Sequence, residues 1–324
     1  MTPLAVVAIG GNALTGADQQ GTAEQIADNA AEMARCVAIL GQTRRVVVVH
    51  GNGPQVGNLS IQQDSAAELV PAQPLYQLGA MTQGQLGSVL VREIDRIGGS
   101  GTAAALITHV EVDPADPAFA DPVKPVGPFF DRARAAALAK ARGWEVREDS
   151  GRGYRRVVAS PRPVAIVEIS AIRALVAAGH VVVAAGGGGI PVSRSADGAL
   201  SGVDGVIDKD HAAAELAAAV GAQDLFLLTG VDSVMLDFGT PQQRPAHRLS
   251  AHEARTHLAE GQFAAGSMGP KIEAALAFLA GGGQRAIITS ARMLPDAAAG
   301  KDGAGTHVVA DVVAMAGQAS AGRA

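Results

Sequence analysis

The sequence predicts an α/β protein in which an open, mainly parallel sheet lies between layers of helix. Three observations carry this. Short apolar runs of strand length alternate with longer stretches of helical periodicity. The runs are apolar throughout rather than alternating, as expected of strands covered on both faces. Several of them empty directly into glycine, the pattern of tight turns at strand ends.

Composition narrows the setting. Only 3% of the 324 residues are aromatic although 48% are hydrophobic, so alanine, valine, leucine and isoleucine must build the core. A net charge of −5 and the lack of a polybasic face argue against a nucleic-acid partner. The first apolar run ends at Ile9, too short for a signal peptide, and no apolar stretch approaches the roughly 20 residues of a membrane span. A soluble cytoplasmic protein with no membrane contact is expected. The single cysteine, Cys36, rules out an intramolecular disulfide and a cysteine-based metal cluster, and its apolar helical surroundings predict a buried thiol.

In order, Leu4 to Ile9 reads as a buried strand stopping at Gly10-Gly11-Asn12. Thr22 to Leu40 is helical through Ile26, Met33, Val37 and Leu40. Val46 to Val49 is a second strand, ending at His50-Gly51-Asn52-Gly53-Pro54, and a helix follows through Val56, Leu59 and Ile61. A long helix from Tyr76 to Ile97 presents Leu78, Met81, Leu86, Val89, Leu90 and Ile94 on its apolar face, and Ala103 to Thr108 is a third strand. Ligands of such sheets bind at the carboxyl ends of the strands, where both glycine turns fall. Backbone amides there can approach an anion closely, so the two turns predict a phosphate-sized cradle.

From Asp113 to Pro163 the alternation breaks. Residues 121–163 are set apart as a protruding subdomain, with a helix over Asp131 to Ala141 beside a short hairpin. Its arginines Arg152, Arg155, Arg156 and Arg162 are expected on a solvated hairpin surface. Lys124 stands between prolines, a stiffened segment that leaves it equally open to surface charge or ligand contact.

The α/β alternation then resumes. Ile166 to Ala178 is a helix and His180 to Ala185 a strand that runs into Gly186 to Gly189. Asp208-Lys209-Asp210 precedes an alanine-rich helix over Ala212 to Val220, with Asp210 expected as its N-cap. Further strands are Asp224 to Thr229 and Arg285 to Ser290. In Gly266-Ser267-Met268-Gly269-Pro270-Lys271, Pro270 suits the first position of a helix, placing Lys271 in its first turn. A cation there opposes the helix dipole by about 0.3–1 kcal/mol, a conflict that an anion beside the lysine would relieve. His50 is expected to be a hydrogen-bonded turn residue rather than an acid–base group.

Together these segments resemble the carbamate kinases, within the amino acid kinase superfamily. The resemblance covers about Leu4 to Val309. It rests on AIGGNAL, HGNGPQVGN, AMTQG, VEVDPADPAF, KPVGPF, EDSGRGYRRVVASP, AAGGGGIPV, GVIDKD, LLTGVD and GSMGPK, in the family's order. It implies one amino acid kinase domain over residues 1–310 with the subdomain at 121–163 and a flexible tail at 311–324. The N-terminal part would hold carbamate and its phosphate, and the part from about residue 180 the nucleotide. The implied reaction is reversible phosphoryl transfer between ATP and carbamate, giving ADP and carbamoyl phosphate. A homodimer forming ATP in arginine or purine breakdown, with Mg²⁺ carried by ATP or ADP and no metal bound by the protein itself, completes the expectation.

By this resemblance Lys124, Lys209, Lys271 and Asp210 are the catalytic set. Gly10, Gly11, Asn12, Gly51, Asn52 and Gly53 cradle the substrate phosphate. Gly187, Gly188, Asp208, Lys209, Thr229, Val231, Met235, Met268 and Lys271 border the nucleotide. The four glycines become the seam between the two halves. The superfamily usually places a lysine on its first strand. Carbamate kinases share its absence here, and Lys124 with Lys209 restores the charge. Met235 stands where members commonly carry tyrosine, and Gly230 replaces a residue that is often acidic or bulkier. The alternatives are a regulator that binds carbamoyl phosphate or a nucleotide without catalysis, and a relative acting on another small carboxylate.

Overall fold

The computed structural model describes residues 2–311 apart from residues 17, 150 and 265. The chain begins β1 (Leu4–Ile9), α1 (Ala23–Gly41), β2 (Arg45–His50), α2 (Gly53–Ala66), α3 (Leu75–Gly98), β3 (Ala103–Ala105) and β4 (His109–Val112). It continues β5 (Lys124–Phe130), α4 (Arg132–Arg142), β6 (Glu145–Glu148), β7 (Tyr154–Val158), β8 (Pro163–Ile166), α5 (Ile169–Ala177) and β9 (Val181–Val183). Next come β10 (Ile190–Arg194), β11 (Leu200–Gly202), α6 (Lys209–Val220), β12 (Asp224–Leu228), β13 (Val234–Leu236) and β14 (Arg244–Ala246). The last elements are β15 (Arg248–Ser250), α7 (Ala251–Ala259), α8 (Met268–Ala280), β16 (Arg285–Thr289), α9 (Leu294–Ala298) and β17 (Thr306–Val309).

The main sheet has eight strands in the order β15-β17-β16-β12-β1-β2-β9-β3. It is parallel except where β17 meets β16 antiparallel. The apolar runs explain why it sits in the middle of the molecule. Along β1, Leu4, Val6 and Ala8 pack into the core shared with α5, α6 and α8, while Ala5, Val7 and Ile9 pack against α1, α3 and α9. Every residue of β1 is buried, so neither face tolerates a polar side chain. Phe226, Val7, Val48 and Val183 lie in register across four neighbouring strands on one face. Cys36 is buried on α1, and burial pushes its thiol up to about 11, the behaviour of a packing residue.

Residues 124–158 form a separate antiparallel sheet, β5-β7-β6, that carries α4. It docks through Val126 and Val158 on Val56, Leu75 and Leu78 of α2 and α3, a small apolar cluster distinct from the main core. A third sheet, β11-β10-β4-β8, draws β4 from just before this piece, β8 from just after it, and β10 and β11 from the segment between β9 and α6.

Several local expectations are corrected. Met81 is 43% exposed, whereas Thr82, Gln83 and Glu93 are buried on α3. The polar side chains are held because they have partners: the Gln83 amide donates to the Thr108 carbonyl at 3.1 Å and its oxygen accepts from the Thr108 N–H at 2.7 Å. That pairing takes over where β3 stops at Ala105, short of the expected Thr108. The N-cap of α6 is Asp208, not Asp210, and its carboxylate accepts from the Asp210 N–H. Helix α8 begins at Met268, two residues earlier than its proline suggests. All but the first residue of the expected 311–324 tail lie outside the described residues.

The four-glycine run after β9 is explained by packing. A Cβ on Gly186 would lie 2.2 Å from His50 Nε2, one on Gly187 2.2 Å from Asn52 Nδ2, and one on Gly188 2.1 Å from the Ile207 carbonyl oxygen. The segment lies flat on its neighbours, and Gly188 also has a left-handed φ of +94°. Gly188→Ala should therefore cost ~3 kcal/mol or more, combining strain with overpacking. Gly198→Ala, with φ +88° but open space around it, should cost only about 1 kcal/mol. Urea unfolding of both variants checks this, and equal losses would refute the packing explanation.

Candidate active site

The carboxyl ends of β1, β2 and β12 converge on a cavity of about 520 Å³. Its lining includes Gly10, Gly11, Gly51, Asn52 and Gly53 from the first two turns. Those turns touch: a Cβ on Gly51 would lie 2.5 Å from the Gly11 amide nitrogen, and the Gly51 N–H donates to the Ile9 carbonyl at 2.8 Å. Only glycine lets the β2 turn close on the β1 turn. Asn52 points sideways, its amide donating to Thr82 Oγ1 of α3 at 2.8 Å. The positive end of α2 faces the cavity through Gly53 and Pro54, which suits an anion. Asn12 lies in the short helical turn Gly11–Ala13 beside this cradle.

The opposite wall carries the charges. Lys209 is the first residue of α6, and its side-chain carbons lie near Gly51. Its Nζ donates to Asp210 Oδ1 at 2.7 Å. Lys271, in the first turns of α8, donates to Asp210 Oδ2 at 2.8 Å. Asp210 is 3% exposed and Lys271 7%. One buried carboxylate thus clamps two lysines from two helix starts. Lys124, at the start of β5, reaches across to Asp208 Oδ2 at 2.7 Å. Asp208 and Asp210 against Lys124, Lys209 and Lys271 leave an excess of one positive charge facing the cavity.

The protonation states follow from these contacts. Burial works against ionising Asp208, but Lys124 outweighs it and holds the carboxyl well below the usual range. Burial opposes ionisation of Asp210 as well, and Lys209 with Lys271 overcomes it. Burial also disfavours charge on Lys209, yet Asp210 and Asp208 more than compensate and raise its pKa. For Lys271, burial and the neighbouring Lys209 together prevail over Asp210, and its pKa falls.

His50 takes no part in this charge network. It is 1% exposed, with Nδ1 at 3.0 Å from the Gly51 carbonyl, which assigns the proton to Nδ1. Burial lowers its pKa to about 4, so the ring is neutral at physiological pH and props the second turn.

Twelve of the residues singled out in the sequence line the cavity: Gly10, Gly11, Gly51, Asn52, Gly53, Lys124, Gly187, Asp208, Lys209, Asp210, Thr229 and Lys271. Among those whose side chains are described, four are absent from its lining. Gly188 is packed behind it, Met268 packs against the core, Val231 is exposed, and Met235 lies in the β13–β14 hairpin. Gly230 does line the cavity, beside Thr229. The sequence reading missed Ser267, which lines the wall beside Lys271, and misplaced Arg155, which reaches the cavity from β7 instead of lying on a solvated surface. Strand alternation held that signal, since it sends Arg155 and Arg156 to opposite faces of β7. Among the described residues, no group of three or more His, Cys, Asp or Glu side chains is placed to hold a metal. No described helix is long and apolar enough to cross a membrane.

Comparison with known proteins agrees with this geometry. The model of the amino acid kinase family matches residues 3–290. The carbamate kinase of Pyrococcus furiosus is 45% identical, over 92% of this chain and 97% of its own. The carbamate kinase-like protein YahI of Escherichia coli is 43% identical over 95% and 99% respectively. Among solved structures, carbamate kinase from Giardia lamblia bound to AMP-PNP superposes with a TM-score of 0.88 at 37% identity, covering 95% of this chain and 99% of that one.

The His50 environment sets a pH dependence. Its folded pKa of about 4 lies below the ordinary 6.5, so between those values the unfolded chain binds the proton and the native chain does not. Stability is therefore lost as pH falls through 6.5, by about 2 kcal/mol at pH 5 from this group alone. His50→Asn should reduce the stability difference between pH 7 and pH 5 by about that amount, read by urea unfolding at each pH. An unchanged difference would show that His50 is not the buried neutral group described.

Proposed function

The chain belongs to the amino acid kinase family, and from that premise we propose that it transfers a phosphoryl group reversibly between ATP and carbamate. The observation that carries the reading is the Asp210-clamped lysine pair, facing two touching glycine turns across one cavity. The named carbamate kinases that share most of this chain support it.

In the ATP-forming direction, a terminal phosphate oxygen of ADP attacks the phosphorus of carbamoyl phosphate. The bond from phosphorus to the carbamate oxygen breaks, and carbamate leaves as an anion. The attacking and leaving groups are both anionic oxygens, so no proton has to move. This suits a cavity where His50 is neutral and turned to a backbone carbonyl. What such a transfer requires is in-line placement and cover for charge spread over the phosphoryl oxygens. Gly10, Gly11, Gly51 and Gly53 cradle the phosphate, with Asn12 and Asn52 beside them. Lys209 and Lys271 cover the transferred group, Asp210 holds both lysines, and Lys124 comes over the substrate from the subdomain. Thr229, Gly230 and the start of α8 border the nucleotide.

Mg²⁺ enters as the companion of the nucleotide, since the carboxylates nearest the site are already committed to lysines. The same reading makes the protein a cytoplasmic homodimer that ends a carbamoyl phosphate-yielding catabolic route. A purely regulatory binding protein is less well supported. Lys124, Lys209, Lys271 and Asp210 all meet at the cavity, and a sensor would not require the full set.

The test is ATP formation from ADP, Mg²⁺ and carbamoyl phosphate, followed by luciferase. The intact protein should turn over readily. Lys209→Ala and Lys271→Ala should each lose ~10³-fold in kcat while keeping a cooperative unfolding transition. Wild-type rates in either variant would overturn the assignment of the lysines. No ATP from the intact protein would overturn the function, and ATP from another acyl phosphate alone would shift it to a different carboxylate.

A further inference from the structure

The cation that remains unassigned is Arg155. It sits on β7 opposite the irregularity in β5 between Val126 and Phe130. Its Nε donates to the Gly127 carbonyl at 3.0 Å, its Nη1 donates to Asp149 Oδ2 at 3.2 Å, and its guanidinium lies 5.1 Å from the Phe129 ring centre. A guanidinium has five N–H donors, so two such bonds fix its plane without exhausting it. Its side chain is 21% exposed, and with Lys124 and Val126 it lines the cavity. The next residue, Arg156, packs over Trp144 instead, with 4.9 Å to the ring centre.

Two observations give this placement meaning. The first is charge. Lys124 is matched by Asp208, and Lys209 and Lys271 share Asp210. Asp149 is shared between Arg155 and Arg152, so one carboxylate serves two guanidiniums and the pair keeps a positive excess. The second is position. Gly127, which receives the Arg155 bond, lies against α2, where a Cβ on Gly57 would be 3.4 Å from the Gly127 Cα. The amino end of that same helix carries Gly53 into the cavity. Arg155 therefore belongs to the turn side of the site, away from Thr229 and α8.

We propose that Arg155 is a substrate-binding residue that donates to the carboxyl-derived end of carbamate or carbamoyl phosphate, and not to the nucleotide. The proposal rests on the function put forward above. The planar fork of a guanidinium matches a carboxylate or its carbonyl oxygen, whereas the lysines act as point charges on the phosphoryl group. The bonds to Gly127 and Asp149 hold that fork ready before substrate arrives.

The experiment measures KM for carbamoyl phosphate and for ADP separately, in the full-length protein and in Arg155→Gln and Arg155→Lys. Loss of a charge-assisted hydrogen bond predicts a rise of about 10- to 100-fold in KM for carbamoyl phosphate in Arg155→Gln, with KM for ADP within about twofold. Arg155→Lys, which keeps the charge but not the fork, should fall between Arg155→Gln and wild type. A residue that only braces the β5–β7 sheet would leave KM for carbamoyl phosphate unchanged or move both constants alike, and either result overturns the proposal. If Arg155→Gln fails to fold, Arg155→Lys decides: a selective rise in KM for carbamoyl phosphate at unchanged thermal midpoint supports it, and wild-type constants overturn it. A wild-type protein that makes no ATP overturns the function itself, and this inference with it.

Discussion

The site depends on one buried carboxylate. Asp210, at the second position of α6, accepts from Lys209 through one oxygen and from Lys271 through the other. Two amines carried by separate helix starts would repel each other and oppose both helix dipoles. With Asp210 between them they are fixed within a few ångströms. Removing one member of such a buried pair typically costs about 3–5 kcal/mol, because it strands a charge. The arrangement is thus a structural constraint as much as a chemical one, tying α6 to α8 at the carboxyl ends of the central strands.

The rest of the fold serves that point. The central strands β1, β2 and β12 are buried on both faces, so their ends cannot drift relative to one another. The first two turns close on each other because Gly51 offers no Cβ. The glycine run lies on His50 and Asn52, and α3 fixes Asn52 through Thr82. The antiparallel β5-β7-β6 piece then brings Lys124 and Arg155 over the open side. A cavity assembled from rigid strand ends on one side and separately docked cations on the other suits a reaction whose barrier is lowered by placement and charge.

Much of this was legible in the chain. Continuous apolar runs announced the buried strands, and their glycine endings announced the cradle. The misplaced charge of Lys271 pointed to an anion nearby, and the structure supplies one in Asp210. What the sequence did not disclose depended on long-range partners. Nothing local says that Thr82 and Gln83 are buried on α3, since their partners Asn52 and Thr108 come from other elements. Four consecutive glycines read as a seam between the two halves, but the sequence does not show that all four are required by neighbours at sub-contact distance and that only Gly187 of them reaches the cavity. Arg155 was masked by the arginines around it. Only the pairing of β5 with β7 shows which face of the hairpin is turned inward.

The account is tested most directly by the kcat of Asp210→Asn for ATP formation from ADP and carbamoyl phosphate. Asparagine keeps the shape of the clamp but not the charge that holds Lys209 and Lys271 together and protonated. A fall of ~10³-fold or more in a protein that still unfolds cooperatively is predicted, in the range for lost preorganised charge. A kcat within tenfold of wild type would show that the lysines work without their shared carboxylate, and would contradict the account.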